Sequence, residues 1–427
     1  MLHPIRLAGL LAIAVLSVCS CEKEPVVKPP ADAMFEVSVD NGFNELQATY
    51  AVFLTDGDGK LRAFRWLPGS DTAQIQVPGA KTTDRLDFTV VKLVTFEAQG
   101  SGVTDTSLTI RTYTRLASGE SIHLRTLNYQ QAIDLRVTFT NLTSLDTIIV
   151  PDGLAFIRPQ QNNNFSGVYR VLHTGNMWLR LKVNGEPNWR YLSFNNLAGT
   201  ALDVTADVML LPVMLAPPKI ITMPFTAPWQ YNVEGVVDTA SRQLFALGDL
   251  LRAPGGAIPV FGELQVYEPN VQIYNGYRIA ATGSSNVPGG YTYSSDGFYA
   301  SIPGGLPVPA FDLQPTTAAS DRFVAVKCLG DFDLLVLGRA RSGNPSIRWE
   351  VLMRPANGIV TYRLPDVPAE LGQRFFALKN YDFGNTVVAR AENYERLDYE
   401  AVIRQLLRND DPLWRAKAGY LGREEVQ

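Results

Sequence analysis

The chain has 427 residues, with 38 Lys and Arg against 42 Asp and Glu, a net charge of −4. That balance excludes the basic footprint of a nucleic-acid-binding protein. Gly, Pro, Tyr, Phe, Thr and Val are plentiful and long helical patterns are rare, which is an all-β profile long enough for two or three domains.

The first element is a leader. Met1 to Arg6 is a short positive region, and Leu7 to Val18 is an apolar run of twelve residues. Twelve residues fall short of the ~20 that a helix needs to cross a bilayer, so the pattern reads as a secretory signal over residues 1–20. The run ends Val18-Cys19-Ser20-Cys21, which resembles the lipobox of bacterial lipoproteins. Val18, Ser20 and Cys21 fit the aliphatic, small and acylated positions. Cys19 is the poorer choice, because Val18 is bulky for the residue before a cut. The resemblance implies cleavage before Cys21 and a covalent lipid on its sulfur; no cofactor is expected in the body. An ordinary signal peptide with incidental cysteines is the alternative.

The lipid-bearing end continues as Glu22-Lys23-Glu24 and then a Pro-rich stretch containing Pro25, Pro29 and Pro30. The acidic start resembles the export tag of surface lipoproteins in Bacteroidetes-type bacteria, which implies an outer-membrane, cell-surface location. A solvated charge pair at a tether is the plainer reading. The prolines suit an extended spacer, so residues 21–34 read as a lipidated tether. Loss of residues 1–20 removes Arg6, leaving 37 basic against 42 acidic residues, a net of −5. Cys328 is then without a disulfide partner and is expected to be a buried small apolar residue.

From Phe35 to about Arg390 short β runs alternate with turns. Phe35 to Val39, Tyr50 to Leu54, Gln74 to Pro78, Leu86 to Val94, Leu108 to Tyr113 and Leu135 to Phe139 are expected strands. Asp56-Gly57-Asp58-Gly59 has half the look of a calcium loop, but Leu67 stands where the twelfth-position Glu would be, and Asp-Gly is a hairpin turn signal. A Gly-x-Pro-x-apolar-Arg-aromatic pattern runs from Gly185 to Tyr191 and again from Gly343 to Trp349. Phe64-Arg65-Trp66 gives a third triplet. If these are copies, β-sandwich domains span 35–148, 149–268 and 269–394; if not, two larger sandwiches replace them.

The segment from Met177 to Phe194 reads as a hairpin with a loop at Asn184 to Pro187. The return strand then pairs Asn188 with Val183, Arg190 with Leu181, Leu192 with Leu179, and Phe194 with Met177. Trp178, Arg180, Lys182, Trp189 and Tyr191 share one face, opposite an aliphatic one. That face is the candidate ligand-binding surface if it is exposed, and a cation–π-stabilised packing surface if another domain covers it.

The pattern changes in 395–427. Tyr399, Val402, Ile403, Leu406 and Leu407 follow helical spacing, with Asp398 as N-cap and Asn409 at the C-terminal end. Asp411-Pro412 is expected to open a second short helix that Gly419 ends. A helix closing a sandwich edge is the expected role.

Catalytic motifs are sparse. Only His123 and His173 remain after the leader, and no zinc-type His or Cys spacing is present. No Gly-x-Ser-x-Gly elbow or phosphate-binding glycine loop occurs; Pro288-Gly289-Gly290 and Pro303-Gly304-Gly305 read as turns. A Ser-His-Asp triad or a glycosidase carboxylate pair leaves no fixed spacing to read.

The expectation is therefore an all-β chain of two or three tandem β-sandwich domains, immunoglobulin-like or transthyretin-like, with a short C-terminal helical segment. Its expected role is non-catalytic: a membrane-anchored cell-surface lipoprotein with a binding or structural function, partnered by an extracellular glycan or protein and not by nucleic acid. The layout also resembles the fimbrillin-type pilus proteins, which implies a structural subunit as the first alternative. A glycan-processing enzyme is the second.

Overall fold

The computed structural model of the chain describes residues 32–40, 48–67, 71–97, 104–125, 133–142, 147–149, 155–159, 165–171, 177–194, 201–238, 243–247, 252–253, 256–257, 262–268, 274–285, 290–316, 322–383, 386–408 and 414–426. The leader, Cys21, the Pro-rich stretch 25–30, His173, Asn409 and Asp411-Pro412 lie outside them.

The chain is all-β and sandwich-type, with short helices near its C-terminal end. The expected strands lie within Asp32–Asp40, Ala48–Thr55, Asp71–Lys81, Arg85–Glu97, Thr104–Ala117 and Ile133–Thr140. The first begins at Asp32, three residues before the expected start of the β body at Phe35. Alternation marks Phe35 to Val39, because a pleated strand sends every second side chain to the same face, and Tyr50 to Leu54 is marked instead by a short continuous apolar run.

One twelve-stranded sheet organises the molecule. Its order is Gln243–Ala246, Trp229–Asp238, Gly276–Ser284, Thr292–Tyr299, Tyr420–Val426, Val387–Tyr394, Leu334–Arg341, Ser346–Met353, Thr104–Ala117, Arg85–Glu97, Ala48–Thr55 and Leu61–Leu67. Neighbours are antiparallel except Ser346–Met353 and Thr104–Ala117, which run parallel with Ile347 opposite Leu108 and Trp349 opposite Ile110.

Part of this sheet is covered on both faces. On one side Asp32–Asp40, flanked by Asp71–Lys81 and Ser121–Arg125, sends Ala33, Phe35, Val37 and Val39 against Tyr50, Val52, Leu54 and Phe88. On the other side Asp312–Pro315, Phe323–Leu329 and Gly358–Arg363 pack Leu313, Val324, Val326 and Cys328 against Ala51, Phe53, Val91 and Trp349. Ala48–Thr55 is therefore apolar nearly throughout, as a strand with two buried faces requires. Cys328 is buried as expected, and burial pushes its thiol up to about 11.

A smaller sandwich occupies 133–211. The sheet Ala155–Pro159, Phe165–Val171, Ile133–Thr140, Ala201–Asp207 faces the sheet Arg190–Phe194, Met177–Lys182, Thr147–Ile149. Leu135, Val137 and Phe139 from the first meet Leu179 and Leu181 from the second.

Two expectations need correction. The borders at 148 and 268 do not divide the hydrogen-bonded strands. The large sheet takes strands from 48–117, 229–299 and 334–426 and interleaves Tyr420–Val426 between Thr292–Tyr299 and Val387–Tyr394. Local pattern specifies a strand and its buried face, but not a partner hundreds of residues away. The tail is also not purely helical. Tyr399–Arg408 and Trp414–Ala418 form, Asp398 caps the first through a 2.9 Å bond from the Ala401 amide, and Gly419 ends the second at φ +68°. Tyr420–Val426 then returns as a strand. Two further short helices, Ala369–Arg374 and Phe376–Lys379, carry no helical periodicity long enough to announce them.

The three apolar-Arg-aromatic triplets share one placement: each belongs to the return side of a β-hairpin. Their arginines differ in partner. Arg65 donates to the Gln74 carbonyl, Arg190 to the carbonyls of Met209 and Leu211, and Arg348 to Glu350 and Glu424.

Candidate functional site

The 177–194 hairpin has the expected register. Leu181 pairs with Arg190, Leu179 with Leu192, and Met177 with Phe194. Its aliphatic side closes the small sandwich through Leu179 and Leu181. The aromatic side also forms as a unit, since Trp178 and Tyr191 meet edge-on with ring centres 6.4 Å apart.

That aromatic side is not an open surface, and the candidate binding face is corrected accordingly. Trp178 is 0% and Arg180 1% exposed, and Tyr191 is buried. Trp178 and Tyr191 pack with Met214, Ile221, Met223, Trp229 and Leu264. The Arg180 guanidinium lies between two rings, 4.2 Å from the centre of Trp189 and 3.6 Å from that of Tyr267. Lys182 donates to the Pro187 carbonyl at 2.7 Å and stands 5.7 Å from the Trp189 ring. The covering strands outcompete a ligand for these rings, because each large aromatic buries some 150–250 Å² on packing.

The surface feature lies on the chain that follows the small sandwich. Residues 208–218 read Val-Met-Leu-Leu-Pro-Val-Met-Leu-Ala-Pro-Pro, eleven residues without a polar side chain. Val208–Leu210 is a 3-10 turn capped by Asp207, whose carboxylate accepts from the Met209 amide at 2.9 Å and from Asn141 at 3.0 Å. Val208 and Leu211 point into the small sandwich, and Met214 into the aromatic core. Met209 and Leu210 between them, and Leu215 just after Met214, point outward: Met209 is 51%, Leu210 82% and Leu215 78% exposed.

The hairpin holds this loop. One Arg190 nitrogen donates to the carbonyls of both Met209, at 3.0 Å, and Leu211, at 2.9 Å. The other side of the guanidinium grips Glu186 through two bonds of 2.8 and 2.9 Å. The Tyr191 amide donates to the Pro212 carbonyl, and the Met214 amide to the Trp189 carbonyl. Both arms of the loop are thus pinned to residues 189–191. Its outward apolar tip is a fixed feature of the fold, and the eleven-residue apolar run is the sequence signal that marks it.

Other polar groups are tied into structure. On one face of the large sheet Glu350 meets Arg111, Arg348 and Arg390, while Arg390 also meets Glu392 and Glu424. Burial works to raise the Glu350 carboxyl, and the three arginines overcome it and hold it at about 2. Asp87 is buried and raised by that burial, against hydrogen bonds from the Tyr362 hydroxyl at 2.7 Å and the Arg115 amide at 2.8 Å. Asp56 spends one carboxylate oxygen on the amides of Asp58 and Lys60, which is turn chemistry. Ser38 and His123 lie 2.6 Å apart as direct partners on neighbouring strands. Among the described residues no group of His, Cys, Asp and Glu is placed to hold a metal ion.

No protein-family model matches the chain, and no curated protein matches it.

Proposed function

We propose that this chain is an exported lipoprotein, held to a membrane by acyl chains on Cys21, with a non-catalytic binding or structural role at the cell surface. The leader, the Val18-Cys19-Ser20-Cys21 sequence and the Pro-rich tether support the anchoring. The observation that carries the binding role is the pinned loop, which presents Met209, Leu210 and Leu215 to the outside on a rigid β frame. An exposed apolar cluster that the fold has gone to the trouble of fixing is a contact surface. The large rings of the hairpin serve packing, so the ligand of this surface is met by aliphatic side chains.

Mass spectrometry of the mature N-terminus, with Cys21→Ser and Cys19→Ser compared, tests the anchor. Acylated Cys21 and release of Cys21→Ser from membranes are expected. A Cys21→Ser protein that still matures and needs detergent, while Cys19→Ser does not, would overturn the assignment.

A further inference from the structure

We propose that the 208–218 loop rests in the interfacial layer of the lipid bilayer to which the chain is tethered, an inference that builds on the lipid-anchor reading above. Three features select a bilayer as the occupant.

The first is composition. The tip offers Met209, Leu210 and Leu215 and no charged, hydroxyl, amide or aromatic side chain between Val208 and Pro218. A sugar needs hydrogen-bonding groups or a ring to lie on, and protein contacts are enriched in Tyr, Trp and Arg. Hydrocarbon asks for neither.

The second is the backbone. A segment entering a low-dielectric layer must satisfy its own carbonyls and amides, since each one left bare there is costly. Arg190 takes the Met209 and Leu211 carbonyls, the Tyr191 amide takes the Pro212 carbonyl, and the Leu211 and Met214 amides bond Val208 and Trp189. Pro212, Pro217 and Pro218 have no amide hydrogen to satisfy. The apolar tip is thus relieved of much of its polar backbone before it meets anything.

The third is reach. Ten residues, 22–31, separate Cys21 from the first strand, and a chain of that length reaches no more than about 36 Å whatever its conformation, so the body stays within that distance of the headgroups. A pinned apolar tip on a body kept that close is at high effective concentration with the bilayer.

The test uses the lipidated full-length protein reconstituted in vesicles of phosphatidylethanolamine and phosphatidylglycerol. In that protein Cys21 is acylated and Cys328 is buried, so Leu210→Cys or Leu215→Cys supplies the reactive thiol for a polarity-sensitive dye. Both side chains are exposed, so neither change disturbs the core. Glu370→Cys, on an exposed helix position, is the control. The expected result is blue-shifted emission at 210 and 215 that lipid-borne quenchers suppress, with water-like emission at 370. Water-like emission at 210 and 215 in vesicle-bound protein overturns the loop insertion and leaves the anchor standing. A blue shift that appears without lipid and resists lipid-borne quenchers assigns the loop to a protein contact and overturns the proposal. A mature protein without acyl mass overturns the anchor reading, and this inference with it.

Discussion

Arg390 and Glu350 form an ion pair at 3.2 Å although the whole Leu334–Arg341 strand lies between their own strands. Gly338 sits in that strand directly opposite Glu350, on the face the pair shares, and has no side chain to stand between them. The pair extends through Arg111, Arg348 and Glu424, so segments some three hundred residues apart in sequence are tied by charge across the sheet.

Glu350 makes that network pH-sensitive. Its folded pKa, about 2, lies below the ordinary 4.5, so the stability it confers is complete above about pH 4.5 and is lost as pH falls toward 2. Glu350→Gln is expected to cost on the order of 3 kcal/mol at pH 7. The gap from wild type should close as the medium is acidified, as read by urea denaturation at stepped pH. A constant gap would contradict the assignment.

Asp87 has the opposite sign. Burial raises its carboxyl, so the folded state holds the proton more tightly than the unfolded one. Stability from this group is present at low pH and is lost as pH rises above the ordinary carboxylate range. Asp87→Asn keeps a neutral group beside the Tyr362 hydroxyl. Its stability relative to wild type should therefore improve between pH 3 and pH 7, measured by thermal melts across that range.

Trp178→Ala is expected to lower stability by ~3–5 kcal/mol, the range for truncating a buried Trp. Trp189→Ala should also lower the melting temperature, because its ring backs the Arg180 guanidinium. Unchanged melting of both variants would reopen the aromatic face as a ligand surface.

Arg190→Lys retains the charge but loses the planar fork that serves Glu186 and two carbonyls together. A loss of ~1–3 kcal/mol is expected. Faster hydrogen exchange should be confined to the amides of Met209, Leu211 and Met214. Unaltered exchange there would show that the loop holds its shape without Arg190.

Local pattern in the sequence determined the β class, the positions of several strands and the register of one hairpin. Alternation together with a loop at Asn184 to Pro187 placed Leu179 opposite Leu192: the alternation fixed the face and the loop length fixed the register. Asp398 and Gly419 marked helix ends because capping is chemistry between near neighbours. Which face of the hairpin met solvent was beyond that logic. Trp178 packs with Ile221, Trp229 and Leu264 and Arg180 lies over Tyr267, from segments that no local pattern brings to this face. The parallel pairing of Ser346–Met353 with Thr104–Ala117 is likewise a tertiary decision. It joins segments more than two hundred residues apart, and such closure is selected by the summed burial of both sheet faces and not by any local signal. The outward turn of Leu210 belongs to both levels: the apolar run is written in the sequence, and the tertiary bonds with Arg190, Tyr191 and Trp189 accompany a placement in which Val208, Leu211 and Met214 face in and Met209, Leu210 and Leu215 face out.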